Sequence, residues 1–250
     1  MSQLENYTQQ EIDKAVSEQT SQLGMLERFA GLFFYPVEVF QDLNRRPTWV
    51  TPVLISIVMV ILSGIVLSYR AKIDWEQFIR SRIEASGSSM PSDSVIQEQV
   101  NIAKRVANFT LLINGIAIPV TYIAIAVIYA IGLMFLEAKT TFKKVFSVVA
   151  WSSCAVESVT TLITILILML REPEYIDPST SISVIKSNLA ALLPLTVSPF
   201  LKAIAASFDI FTIWLLILLT IGLAAVGGSH KITRSKAGAL VFSVWLLWVF

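Results

Sequence analysis

A single carboxylate, Glu157, stands out because of the side chains that share its helical face. It lies near the middle of an apolar stretch, residues 146–170, and hydroxyl residues recur at positions i−4, i+3, i+4 and i+7 from it. These hydroxyl residues are Ser153, Thr160, Thr161 and Thr164. Asn114, in the preceding apolar stretch, is a candidate hydrogen-bond partner. An ionisable group inside a bilayer is costly, so this stripe indicates either a route for protons, ions or solutes or interhelical hydrogen bonding.

Asp209 is the second polar residue with a candidate role. It lies two residues after Ser207 and directly before the apolar stretch 210–226. A side-chain oxygen there can accept hydrogen bonds from the first amides of a helix, and its charge complements the helix dipole. The sequence therefore favours Asp209 as a helix cap over a binding residue.

Motifs of the common enzyme classes are missing from the sequence. His230 is the only histidine and Cys154 the only cysteine, so an internal disulfide and a histidine metal cluster are excluded. The chain also lacks a phosphate-binding loop, a zinc-protease helix motif and a serine-hydrolase elbow. We predict no catalytic residues, no cofactor and no bound metal.

The composition indicates which solvent surrounds the chain. Its 250 residues are 55% hydrophobic and only 15% charged, and the mean hydropathy is +0.69. Soluble domains carry roughly 25% charged residues. The net charge of +1 gives no reason to expect electrostatic binding of nucleic acid. Because backbone groups in lipid must bond within their own segment, we predict an all-α membrane protein whose surroundings are the lipid bilayer.

Five apolar stretches are candidate transmembrane helices, since about 20 residues cross the hydrocarbon. They are residues 49–69, 111–136, 146–170, 210–226 and 237–250, the last of them short. Segments 70–110 and 171–209 are predicted to lie outside, with residues 94–106 running as a helix into the second span. Pro194, Pro199 and Lys202 argue against a further span, and favour a re-entrant or interface-lying pair of short helices within 187–207.

The chain before the first span has two parts. Residues 1–24 are polar and are predicted to form a mobile cytoplasmic tail. Residues 25–42 are amphipathic, with one apolar face that Pro36 interrupts. The residues of this face are Met25, Leu26, Phe29, Leu32 and Phe33. A helix lying in the membrane interface and a helix packed against the bundle both fit this pattern.

The short loops set the predicted orientation, because lysine and arginine collect on the cytoplasmic side. Loops 137–145 and 227–236 carry Lys139, Lys143, Lys144, Lys231, Arg234 and Lys236. With five spans both loops lie on the side of the N-terminus, which also carries Arg28, Arg45 and Arg46. Segment 70–110 is long and holds acids among its cations, so its charges count for less. The N-terminus is predicted to be cytoplasmic and the C-terminus outside.

Several short motifs are distributed along the chain. They are Leu26-Glu27-Arg28-Phe29, Tyr35-Pro36, Val39-Phe40, Arg46-Pro47, Thr51-Pro52-Val53-Leu54, Phe142 with Ser147 to Trp151, Phe208-Asp209-Ile210-Phe211-Thr212-Ile213-Trp214, and Ile221-Gly222-Leu223. Together they resemble prokaryotic members of the Yip1 family of polytopic membrane proteins, over residues 26–250. Family members often carry a proline in the third span, where this chain has Ser153, Cys154 and Glu157.

The resemblance implies five spans and a cytoplasmic N-terminus in a bacterial inner membrane. For eukaryotic relatives it implies membrane organisation or trafficking with Rab GTPases as partners, and for bacterial relatives an integral membrane protein that can assist a transporter. It implies no catalytic residues. We therefore predict a non-enzymatic membrane organiser or accessory subunit that contacts another membrane protein or a second copy of itself. The alternative is a small transporter or channel that uses the stripe around Glu157.

Overall fold

The structure is a computed structural model that describes residues 23–70, 74–172, 185, 187–194, 197–228 and 231–249. The predicted polar tail lies outside this described part, except for its last two residues. Most of the acidic, proline-containing stretch that follows the third predicted span lies outside it as well.

The described residues form helices and no strand, which confirms the all-α prediction. The α-helices are α1 (Met25–Phe34), α2 (Pro36–Arg45), α3 (Val50–Arg70), α4 (Trp75–Ala85), α5 (Asp93–Phe135), α6 (Phe142–Leu170), α7 (Pro199–Ser207), α8 (Ile210–Val226) and α9 (Arg234–Val249). A 3₁₀ helix, Leu189–Leu192, precedes α7.

Three helices are long and apolar enough to cross a membrane. They are α3, the part of α5 from Ile113 to Phe135, and α6, with 21, 23 and 29 residues. They correspond to the first three predicted spans. The fourth and fifth predicted spans form α8 and α9, of 17 and 16 residues. Each is about 25 Å long at 1.5 Å per residue, slightly less than the hydrocarbon thickness, so the count of five remains a prediction.

The segment before the first span forms two helices because of Pro36. Proline has no amide hydrogen, so it fits the first turn of a helix and disrupts an interior turn. It therefore begins α2, and Tyr35 separates the two helices. Leu32 and Phe40 are buried, whereas Leu26 and Phe34 are largely exposed. One face of the pair packs into protein while other apolar side chains remain on the surface.

The segment between the first two spans is also helical. The helix into the second span begins at Asp93, close to its predicted start, and the whole helix has 43 residues. Arg80 of α4 pairs with Glu76 at 2.9 Å and with Asp93 at 2.8 Å. The hydrogen bonds to Asp93 and then to Glu76 raise the pKa of the Arg80 guanidinium above its already high ordinary value.

The predicted pair of short helices before α8 is present as the 3₁₀ helix and α7. Ser198 accepts a hydrogen bond from the amide of Leu201, and Pro199 occupies the first helical position. Asn188 forms an isolated bridge with Asp209. Their position relative to a membrane remains a prediction.

The contacts divide the chain into two compact units. The first consists of the described residues within Met1–Thr51, Ala126–Ser152 and Leu215–Trp248, and the second of those within Pro52–Ile125, Ser153–Trp214 and Val249–Phe250. Fully buried side chains of the first unit include Phe40, Leu43, Leu133, Trp151 and Leu223. Those of the second unit include Ser56, Ile96 and Leu168.

Candidate functional site

Glu157 is hydrogen-bonded to a tyrosine of another helix in the second unit. The hydroxyl of Tyr122, on α5, donates to Glu157 Oε2 over 2.5 Å, and Ser56 Oγ, on α3, lies 2.8 Å from the same hydroxyl. A tyrosine hydroxyl has one proton. Because Tyr122 gives that proton to Glu157, Ser56 must donate its own to Tyr122. We call these three residues the Glu157 network.

The Glu157 network lies between α3, α5 and α6, in parts of these helices that are mostly apolar. Ser56 is 0% exposed and Tyr122 is 2% exposed, while Glu157 is half-buried. A buried carboxyl group without hydrogen bonds is costly in an apolar medium. The donors that reduce this cost come from side chains of the same chain, and they connect three membrane helices to each other.

Two hydroxyl groups of the predicted polar stripe bond to the backbone of α6 itself. Thr160 Oγ1 donates to the carbonyl of Glu157 over 3.0 Å, and Thr164 Oγ1 donates to the carbonyl of Thr160 over 2.8 Å. Ser153 is buried and Thr161 is half-buried. Hydroxyls that bond to the preceding helical turn are common and satisfy the side chain locally.

The residue of α5 that bonds to Glu157 is Tyr122, whereas the sequence analysis named Asn114 as the candidate partner. Asn114 is exposed, and the hydroxyl of Tyr122 is the donor that reaches Glu157. The sequence reasoning missed Tyr122 and Ser56, although both are hydroxyl residues within predicted spans. A comparison of the polar side chains of all the spans would have identified them as candidates.

A second polar cluster, in the first unit, is centred on Arg28 of α1. Its Nη2 lies 2.6 Å from Asp42 Oδ2, and its Nη1 donates to Thr48 Oγ1 over 2.6 Å. The indole of Trp151, on α6, donates to the carbonyl of Thr48 over 2.9 Å. Arg28 is 8% exposed and Asp42 is 6% exposed. This Arg28 cluster joins both N-terminal helices, the start of the first span and α6.

Asp209 lies directly before α8. Its Oδ1 accepts hydrogen bonds from the amides of Phe211, over 2.7 Å, and Thr212, over 3.3 Å. The hydroxyl of Ser187 donates to the other carboxylate oxygen. The side chain thus has the contacts of a helix cap and connects the segment before the 3₁₀ helix to the start of α8.

Arg70, at the end of α3, is hydrogen-bonded to the end of α6. Its Nε donates to the carbonyl of Leu168 over 3.1 Å, and its Nη2 donates to those of Met169, over 3.2 Å, and Arg171, over 2.6 Å. The last carbonyls of a helix have no partner within the helix. One guanidinium therefore supplies donors to two of the last carbonyls of α6 and to the carbonyl of Arg171, just after the helix.

These clusters hold the helices together and contain no arrangement typical of catalysis. Within the described ranges, no group of three His, Cys, Asp or Glu side chains could hold a metal ion.

The model of the Yip1 domain family matches residues 30–250. No curated protein and no solved structure matches the chain.

Proposed function

Because the chain belongs to the Yip1 family of membrane proteins, we propose that it acts as a non-enzymatic membrane organiser or as an accessory subunit of a membrane protein complex. The observation that carries this proposal is how polar and apolar side chains are divided on the spanning helices. The polar groups of the Glu157 network bond to each other. Large apolar side chains such as Leu54, Val58, Ile116 and Val120 are more than half exposed.

Such an apolar surface suits contact with lipid and with the helices of a partner. Lipid tails are as apolar as leucine, so helices associate in a membrane through close packing and hydrogen bonds. The proposed role therefore depends on helix contacts within the bilayer, and the partner is another membrane protein or a second copy of the chain.

The assembly can be tested on the purified chain in mild detergent. We expect a particle whose protein mass, after the bound detergent is subtracted, exceeds the 27.7 kDa of one chain, with one partner or a second copy in fixed proportion. Glu157→Leu removes the acceptor of the Tyr122 hydroxyl and should lower the fraction of protein in this assembly. Glu157→Gln keeps an acceptor and should leave that fraction unchanged. Light scattering after size-exclusion chromatography measures both. The proposal would be contradicted if the purified protein were a monomer at all concentrations and if it also had no partner in native membranes.

A small transporter or channel is the second candidate function. It is favoured by the half-buried position of Glu157, since ionisable groups inside spans often line ion or proton routes. Proton-coupled flux in liposomes that hold only this protein, lost in Glu157→Gln, would establish this function in place of the first.

We further propose that the N-terminus is cytoplasmic and the C-terminus is outside, in a bacterial inner membrane. An ion pair of 3.2 Å between Lys231 and Glu137 supports one premise of this orientation, that the two basic loops share a side, because it brings them together. Loops on the same side of a membrane are separated by an even number of crossings. Two crossings, α6 and α8, satisfy this requirement, and the segment between them then does not cross.

Single cysteines introduced into a Cys154→Ala background test this topology. A membrane-impermeant maleimide should label Ser88→Cys in intact cells, and should label Lys139→Cys and Lys236→Cys only after the membrane is opened. Labelling of Lys236→Cys in intact cells would show that the basic loop faces outward and would refute the orientation.

A further inference from the structure

A cleft of about 450 Å³ lies in the first unit, where α2 meets the end of α8 and the start of α9. Small-molecule sites usually have volumes of about 300–1,000 Å³. The cleft is therefore large enough to hold a ligand group rather than a single water molecule.

The lining of the cleft combines two kinds of residue. Six have no polar side chain, and we call them the apolar side: Val37, Ile221, Ala224, Ala225, Gly228 and Ile232. Four have polar side chains, and we call them the polar side: Gln41, Asn44, Thr233 and Arg234. The first two polar residues lie one turn apart on α2, and the last two lie at the start of α9. A ligand that fits both sides must itself combine an apolar part with a polar part.

The polar side of the cleft is positively charged. Arg234 lines it, and no carboxylate does. Lys144 donates to Asn44 Oδ1 over 2.8 Å, which brings a second cation to the edge. Among the described residues, the ion pairs use Arg28, Arg80 and Lys231, not Arg234.

Two nearby carboxylates are paired with other cations, and Glu38, one turn before Gln41 on α2, is exposed and does not line the cleft. Asp42, next to Gln41 in the sequence, is buried against Arg28, and Glu137 pairs with Lys231. The polar side is therefore suited to an anion, and a guanidinium can hold two oxygens of one phosphate group at the same time.

We propose that this cleft binds an anionic phospholipid, with its phosphate against Arg234 and Asn44 and the first part of an acyl chain along Ala224 and Ile221. The cleft lies at the end of α8, an apolar helix that we predict to span the membrane and to end at the headgroups. Basic pockets between membrane helices on the cytoplasmic side bind anionic headgroups in this way. The inference goes beyond the organiser role and does not depend on it.

The test measures thermal stability of the full chain in a neutral detergent while lipid is added. Phosphatidylglycerol should raise the midpoint of unfolding and phosphatidylcholine should not, because a ligand that binds the folded state stabilises it. Arg234→Ala should require about tenfold more phosphatidylglycerol for the same shift, a loss typical of one charge-assisted contact. Arg82→Ala, an exposed arginine on α4, should behave as the unchanged protein does.

Three results would overturn the proposal. The first is an equal response of the unchanged protein and Arg234→Ala to phosphatidylglycerol. The second is an equal loss in Arg82→Ala, which would indicate general charge attraction. The third is an equal shift with inorganic phosphate alone, which would identify free phosphate and not a lipid as the occupant. Gln41→Leu, a surface change in the same cleft, provides an independent variant and should also weaken the response.

Discussion

Replacing Arg28 with alanine is expected to lower the free energy of unfolding by about 3–5 kcal/mol, the usual result of breaking a buried ion pair. Asp42, which is 6% exposed in the unchanged protein, would then lose its 2.6 Å partner. Thr48 would also lose the hydrogen bond from Arg28. Titration with sodium dodecyl sulfate from mild detergent, followed by circular dichroism, measures the change.

Two variants make this result specific to burial. Lys231→Ala breaks an ion pair whose side chains are 49% and 81% exposed, and should cost about 1 kcal/mol or less. Replacing both Arg28 and Asp42, with methionine and leucine, removes both buried charges and should recover most of the loss, because apolar residues often replace such pairs without cost. An Arg28→Ala protein as stable as the unchanged protein would show that the pair is not buried in solution.

Gly222→Ala is expected to destabilise the protein by about 1–3 kcal/mol, the usual cost of adding atoms to a packed core. The added Cβ would lie 2.4 Å from Val148 Cγ1 and 3.0 Å from the ring of Phe40. Both neighbours are 0% exposed and cannot move aside freely. The gain in helix propensity, up to about 1 kcal/mol, acts in the opposite direction and is smaller. The same titration measures the effect.

A second glycine of a spanning helix supplies the matched control. At Gly115 the added Cβ would lie 3.6 Å from Ile57, an ordinary contact distance, so Gly115→Ala should be neutral or slightly stabilising. Val148→Ala removes the methyl group that Gly222→Ala meets, and the double variant should be less affected than the sum of the two. Equal effects at the two glycines would mean that close packing at Gly222 is not the cause.

The helices of the membrane core could be predicted well because the bilayer restricts the answer. A span must be helical, apolar and about 20 residues long, so composition alone locates it. The predicted spans 49–69 and 146–170 differ from α3 and α6 by at most four residues at either end. The early start of α5 also followed from the sequence of residues 94–106.

The partners of the polar groups could not be predicted in the same way. Arg28 is 14 residues from Asp42, and the two residues lie on different helices because a new helix begins at Pro36. Their pairing therefore depends on the angle between these two helices. In the sequence Arg28 counted only as a cation near the membrane surface. The choice between Asn114 and Tyr122 depends on how α5 is rotated against α6. Hydrophobic periodicity does not determine this rotation when both helices are apolar on nearly every side.

The contacts of Arg70 affect how the protein tolerates membranes of different composition. A helix end usually requires water or headgroups for its free carbonyls, so its depth is limited by the position of the interface. The end of α6 receives its hydrogen bonds from the Arg70 guanidinium, whose charge is itself costly in hydrocarbon. A thicker hydrocarbon layer would have to cover that charge, so we expect these contacts to keep this helix end at the level of the headgroups and the bilayer to thin around it instead.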